Sequence, residues 1–136
     1  MKKLLLAVLT LGIFSSFGQH TNDPDVYYNQ AKLSYKMRKL ERSLEQCNSA
    51  LEIDSTHYEA LLLKGMCYYD QEKYDQAIKW ATKSIEVYNR NDEAFFERGM
   101  MYFYLDKYTE AAADFDMASS IGIKRADYVY FKGLSY

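Results

Sequence analysis

Small residues recur in this chain at a spacing of 34: Ala31, Gly65, Gly99 and Gly133; Ser43, Ala77 and Ala111; Ala50, Ser84 and Ala118. Aromatic residues keep the same step, with Tyr68, Tyr102 and Tyr136, then Tyr74 and Tyr108. A period of this length constrains the fold more than any single segment does. Each copy must be one supersecondary unit that buries its apolar face against the next copy. The copies run over 24–57, 58–91 and 92–125, and 126–136 opens a fourth. One proline and six glycines in 136 residues favour long helices over a strand-and-turn meander.

Each copy reads as two helices. In the third, Ala94, Phe95, Arg98, Gly99, Tyr102 and Leu105 share one helical face. Ala111, Ala112, Phe115, Ala118 and Ser119 form a second face after a break at Asp106-Lys107. Gly99 and Ala111 are small enough to let the two helix axes approach, as are Gly65 and Ala77 one copy earlier. A lone helix of this length is marginal in water, so stacking has to supply the burial. The 49% apolar and 16% aromatic content is sufficient for a packed core.

The first eighteen residues follow other rules. Met1-Lys2-Lys3 precedes an apolar run, Leu4 to Phe14, and then Ser15-Ser16-Phe17-Gly18. A basic start, a short apolar middle and small residues before the cut describe a secretory signal peptide over 1–18, leaving a short tail over 19–23. As a helix the run rises only ~16 Å, short of a ~30 Å hydrocarbon core, which argues against a retained anchor. The expected mature protein starts at Gln19 and is periplasmic or secreted, with no stable membrane insertion. Loss of Lys2 and Lys3 takes its charge from −2 to −4. Interspersed charges with this balance give no reason to expect nucleic-acid binding.

The quoted pattern resembles the tetratricopeptide repeat, whose unit carries small residues at its eighth, twentieth and twenty-seventh places. Gly65, Tyr68, Tyr74, Ala77 and Ser84 match in the second unit; Gly99, Tyr102, Tyr108, Ala111, Phe115 and Ala118 match in the third. The likeness covers about 112 of 136 residues. The first unit departs from the pattern, with Ser34, Leu40, Ser43 and Cys47 where aromatics and alanine are usual. The resemblance implies an all-α, right-handed solenoid: three full helix-turn-helix units and the first helix of a fourth, within 24–136. The seventh place, usually apolar, holds Gln30, Lys64, Arg98 and Lys132, facing Gln46, Trp80 and Asp114 in the first three units. We read Gln with Gln, Lys over Trp and Arg98 with Asp114 as structural pairs.

The family's working surface is the inner, concave face. Transferred to this sequence, that face is expected to carry Tyr28, Lys32, Tyr35, Leu62, Met66, Tyr69, Phe96, Met100, Phe103 and Tyr130, with Lys36, Arg38 and Lys39 as a basic lip. Members that clamp a peptide's terminal carboxylate use several basic residues there, of which only Lys32 survives, so a full clamp is rejected. Methionine and aromatic side chains suit an apolar or amphipathic peptide segment. The resemblance also lets Cys47 and Cys67 meet across the first repeat interface, either as a disulfide or as two buried thiols in contact.

Catalytic constellations are missing from the sequence. The histidines are His20 and His57, neither in metal-ligand spacing with cysteine or another histidine, and Asp54 with His57 reads as a solvated loop. There is no nucleophile elbow and no phosphate-cradling glycine loop. The resulting expectation is an exported, non-catalytic module without cofactor or metal. It binds a protein or peptide in its groove, or pairs with a second copy through the groove or the last helix. A rival reading makes it the N-terminal sensory segment of a larger exported or membrane-bound protein.

Overall fold

The computed structural model describes residues 21–122 and 126–136. They form seven helices: α1 (Pro24–Lys36), α2 (Leu40–Ile53), α3 (Tyr58–Asp70), α4 (Tyr74–Val87), α5 (Asp92–Tyr104), α6 (Tyr108–Ile121) and α7 (Ala126–Ser135). The odd-numbered helices open repeats and start 34 residues apart. The leader assigned to residues 1–18, with His20, lies outside the described residues. Among the described residues no helix is long and apolar enough to cross a membrane.

The opening helices of the first three repeats each have an N-terminal cap at the same place. Asp23 accepts from the Asp25 amide, and Pro24 follows it at the first helical position. His57 accepts from the Ala60 amide, and Asn91 from that of Ala94. These acceptors satisfy backbone donors that a helix start leaves free. The turn into the second helix is also periodic: Arg38, Glu72 and Asp106 have φ of 60°, 60° and 58°. At the first turn the amides of Arg38 and Lys39 return to the carbonyls of Tyr35 and Ser34, at 2.9 Å each, closing a Schellman cap. A side chain in the left-handed region is disfavoured by ~1–2 kcal/mol, less the extra backbone freedom that glycine loses on folding. Glu72→Gly should therefore stabilise the fold by about 0.5–1 kcal/mol, read as a rise in the urea midpoint without a change in slope.

Packing within a repeat depends on small residues. A Cβ on Gly65 would stand 3.0 Å from the Ala77 carbonyl oxygen, and one on Gly99 would stand 2.6 Å from a Phe115 ring carbon. Ala77 and Ala111 are themselves fully buried. The main core joins the second and third repeats through Leu62, Ala81, Ile85, Ala94, Phe95, Met101 and Ala118. A smaller core of Ala31, Cys47 and Leu63 holds the first repeat, with Tyr28 and Tyr35 packed against it. The departures from the pattern in that repeat are partly polar. Ser43 Oγ donates to the Ala31 carbonyl at 2.9 Å, and Cys67 Sγ lies 3.3 Å from Ser43 Oγ. Cys47 and Cys67 are free thiols, both fully buried, so the bridge that the resemblance allowed is not formed. Burial pushes both thiols up, Cys47 to about 12.

Candidate functional site

The seventh-place residues of the first three repeats each meet the second helix of their own repeat. In the first, the Gln46 amide lies 2.6 Å from Ser34 Oγ and 3.4 Å from the Gln30 amide. In the second, Lys64 Nζ is 3.7 Å from the centre of the Trp80 ring. In the third, Arg98 makes a bidentate pair with Asp114, at 2.7 and 2.8 Å. Burial pushes the Asp114 carboxyl up while Arg98 pulls it down. In the fourth, Lys132 pairs with Asp116, on the preceding repeat.

On the inner face, α1 and α3 enclose a pocket of about 270 Å³. Tyr28, Lys32, Tyr35 and Lys36 come from α1, Glu59, Leu62, Leu63 and Met66 from α3, and Asn91 and Glu93, at the start of α5, complete the lining. Lys32 Nζ is 4.7 Å from the Tyr28 ring centre, and the Tyr28 ring is 5.0 Å from His57. Burial, reinforced by Glu59 and Glu93, pushes the Tyr28 phenol up to about 12. Burial and a hydrogen bond to Asp70 push the Tyr35 phenol higher still. Both phenols therefore stay protonated at ordinary pH, with the Tyr35 proton already donated to Asp70. The pocket offers apolar walls edged by phenol and ammonium donors and by two carboxylates, Glu59 and Glu93, that both act on the Tyr28 phenol. That arrangement suits an apolar side chain on a peptide backbone.

Several sequence expectations are redistributed. Leu62 is only 4% exposed and belongs to the core as much as to the pocket wall. Tyr69 stacks between Tyr74 and Tyr104 at 5.6 and 5.8 Å. Phe96 and Phe103 both pack against Phe131 of α7, at 6.1 and 6.0 Å, so α7 seals the aromatic floor that the sequence left open. Met100 is half-buried, and Tyr130 is exposed on the last helix. The basic lip divides. Lys36 lines the pocket, Arg38 pairs with Asp70 at 2.6 Å, and Lys39 borders a recess with Gln30, Ser34 and Gln46.

His57 is the residue that sequence reasoning misjudged. It is 6% exposed rather than solvated; its Nδ1 caps α3 and its Nε2 lies 2.9 Å from Asp25 Oδ1. Nδ1 accepts a backbone proton, so Nε2 donates to Asp25 and ties the start of the first repeat to the start of the second. Asp54 turns away and accepts from Thr56 instead. The signal that could have found this is the period itself, since 23, 57 and 91 are one cap position. Among the described residues no group of His, Cys, Asp and Glu is placed to hold a metal ion.

Capped helix pairs, close small-residue contacts and a concave face define a helical-repeat solenoid. A family model described as Anaphase-promoting complex, cyclosome, subunit 3 matches residues 7–83 and, in a second register, 54–118. The chain belongs to this family of tetratricopeptide repeats. Its backbone superposes on the Arabidopsis OM64 TPR domain with a TM-score of 0.80, at 19% identity over 85% of this chain and 97% of that one. The first TPR of Spaghetti (RPAP3), solved bound to the HSP90 peptide SRMEEVD, also gives 0.80, at 15% identity over 87% and 95%. MamA gives 0.79 at 17% identity, over 85% of this chain and 67% of that one. A 47-residue stretch is 36% identical to DnaJ homolog subfamily C member 7 of Homo sapiens, covering 35% of this chain. The matched stretch spans only 10% of that relative's length.

Proposed function

We propose that the chain is a protein-interaction module that seats an apolar or amphipathic peptide segment in the pocket between α1 and α3. The observation that carries this reading is the pocket's composition. Met66, Leu63 and the Tyr35 ring supply apolar contact, while Tyr28, Lys32 and Lys36 present donors to a peptide backbone or side-chain oxygen. Repeats of the same fold hold peptides, as the first TPR of Spaghetti (RPAP3) holds an HSP90 peptide. The pocket here mixes both charge signs, so the reading is a mixed-sequence segment rather than a terminal carboxylate clamp. Binding is the whole activity proposed, with no catalytic step. Export through a leader over residues 1–18 is part of the same reading, and the N-terminal sequence of the mature protein tests it.

The test is selection of peptides from a displayed random library against residues 19–136, followed by fluorescence anisotropy on the peptides recovered. Met66→Glu should weaken capture at least tenfold, because it places a charge on the apolar wall. Lys36→Ala, at an exposed position, should weaken it severalfold while the helical circular dichroism stays unchanged. Full binding in both variants would overturn the reading, and so would a library that yields no binder.

A further inference from the structure

The seventh-place cations of the second and third repeats solve the same problem differently. Arg98 reaches the second helix of its own repeat through Asp114 and that of the preceding repeat through Thr82, 3.2 Å from Nη1. Lys64 keeps the equivalent of the second contact, 2.6 Å from Asn48 Oδ1, since Asn48 and Thr82 are one period apart. Where Asp114 stands, the second repeat has Trp80. A ring face attracts an ammonium but carries no net negative charge. Lys64 is thus a cation only 9% exposed, and among the described residues it forms no ion pair with a carboxylate. Burial pushes its ammonium below the usual lysine range.

This ammonium opens into a groove of about 680 Å³ between α2 and α4. Leu51, Leu61 and Val87 wall it, and the Trp80 ring carries Lys83 Nζ at 4.4 Å as well as Lys64. By helical geometry Leu61 and Lys64 lie on the opposite side of α3 from Leu62 and Met66, so the groove is separate from the concave pocket. Glu52 and Glu86 also line it, but both are exposed. Exposed charges are screened by salt and water far more than buried ones, so the Lys64 ammonium sets the sign of the floor, while the exposed Lys83, Glu52 and Glu86 form its rim.

We propose that this outer groove is a second docking site, for a peptide segment that inserts one carboxylate side chain against Lys64 and Lys83 and lays aliphatic side chains on Trp80, Leu51 and Val87. The carboxylate gives Lys64 what Asp114 gives Arg98. An ammonium has three donors, of which Asn48 occupies one and the Trp80 face engages another, leaving one for the incoming group. The rim carboxylates favour basic residues on either side of the inserted acid. The occupant is therefore an aliphatic segment with a single central acid and basic flanks.

Trp80 is the only tryptophan, so its emission reports on this groove. The probe is a capped heptapeptide with a central glutamate between leucine pairs and a lysine at each end, titrated into residues 19–136. The expected result is a saturable emission change that is at least tenfold weaker when glutamine replaces the glutamate. Lys64→Met, of similar length and apolar, should weaken glutamate-peptide binding to the same degree. Lys83→Ser, at an exposed position, should weaken it severalfold without affecting folding. Equal binding of the two peptides, unchanged binding by both variants, or no saturable change would each overturn the proposal. A peptide seated only in the concave pocket raises the anisotropy of a labelled copy and leaves Trp80 emission unmoved, so the two docking sites succeed or fail separately.

Discussion

Asp114→Ala should destabilise the fold by about 3 kcal/mol, the lower end of the 3–5 kcal/mol expected when one member of a buried ion pair is removed. Asp114 is 6% exposed and Arg98 17%, so the substitution strands a guanidinium that solvent reaches only in part. Thr82 Oγ1 still accepts one N–H, and the Phe95 and Tyr102 rings lie 5.7 and 5.8 Å from the guanidinium carbon. Those contacts keep the loss at the lower end. The pair itself is another matter: the desolvation of two charges offsets much of their attraction. The double variant Arg98→Met with Asp114→Leu should accordingly recover to within about 1 kcal/mol of the parent. Chemical denaturation followed by far-ultraviolet circular dichroism measures both. A loss below 1 kcal/mol in Asp114→Ala would mean that Arg98 finds another partner.

The same position shows how far the sequence could be read. The resemblance to the tetratricopeptide repeat set Arg98 opposite Asp114 and Lys64 opposite Trp80, because the family's unit holds its seventh residue against a fixed place in its second helix. Its consequence for the neighbouring repeat stayed hidden. Asn48 and Thr82 reach back across the interface, and that contact depends on how adjacent units tilt rather than on spacing within one. His57 was misread for a related reason. A histidine between helices looks solvated until its equivalence with the caps Asp23 and Asn91 is drawn, and its partner Asp25 lies a full repeat away. The concave face was legible as a list of residues but not as a surface. Helical periodicity says that Phe96 and Phe103 share a face; it does not say that Phe131 arrives to cover them. The open part of the face contracts to the α1–α3 pocket, where Lys32, Lys36 and Met66 line the surface.

Phe115→Ala should cost about 3–5 kcal/mol, the range for truncating a buried aromatic side chain that the surroundings cannot fill. Phe115 has no solvent exposure, and its ring lies against Gly99, where a Cβ could not fit. The helices α5 and α6 already touch at that glycine, so they cannot close further on the vacated space. The ring also stands 5.7 Å from Phe96 and 6.0 Å from Phe131, so its removal takes away the surface on which α7 sits. Stability in a repeat array is close to a sum of units and nearest-neighbour interfaces, which makes the damage local. Amide hydrogen exchange should rise in α6 and α7 of Phe115→Ala, while α1, α2 and α3 retain the protection of the parent. Peptide capture in the α1–α3 pocket should survive at low temperature, because no pocket residue touches the lost ring. If protection instead falls in all seven helices together, the chain unfolds as one cooperative unit, and the pocket owes its shape to the aromatic cluster of the third repeat.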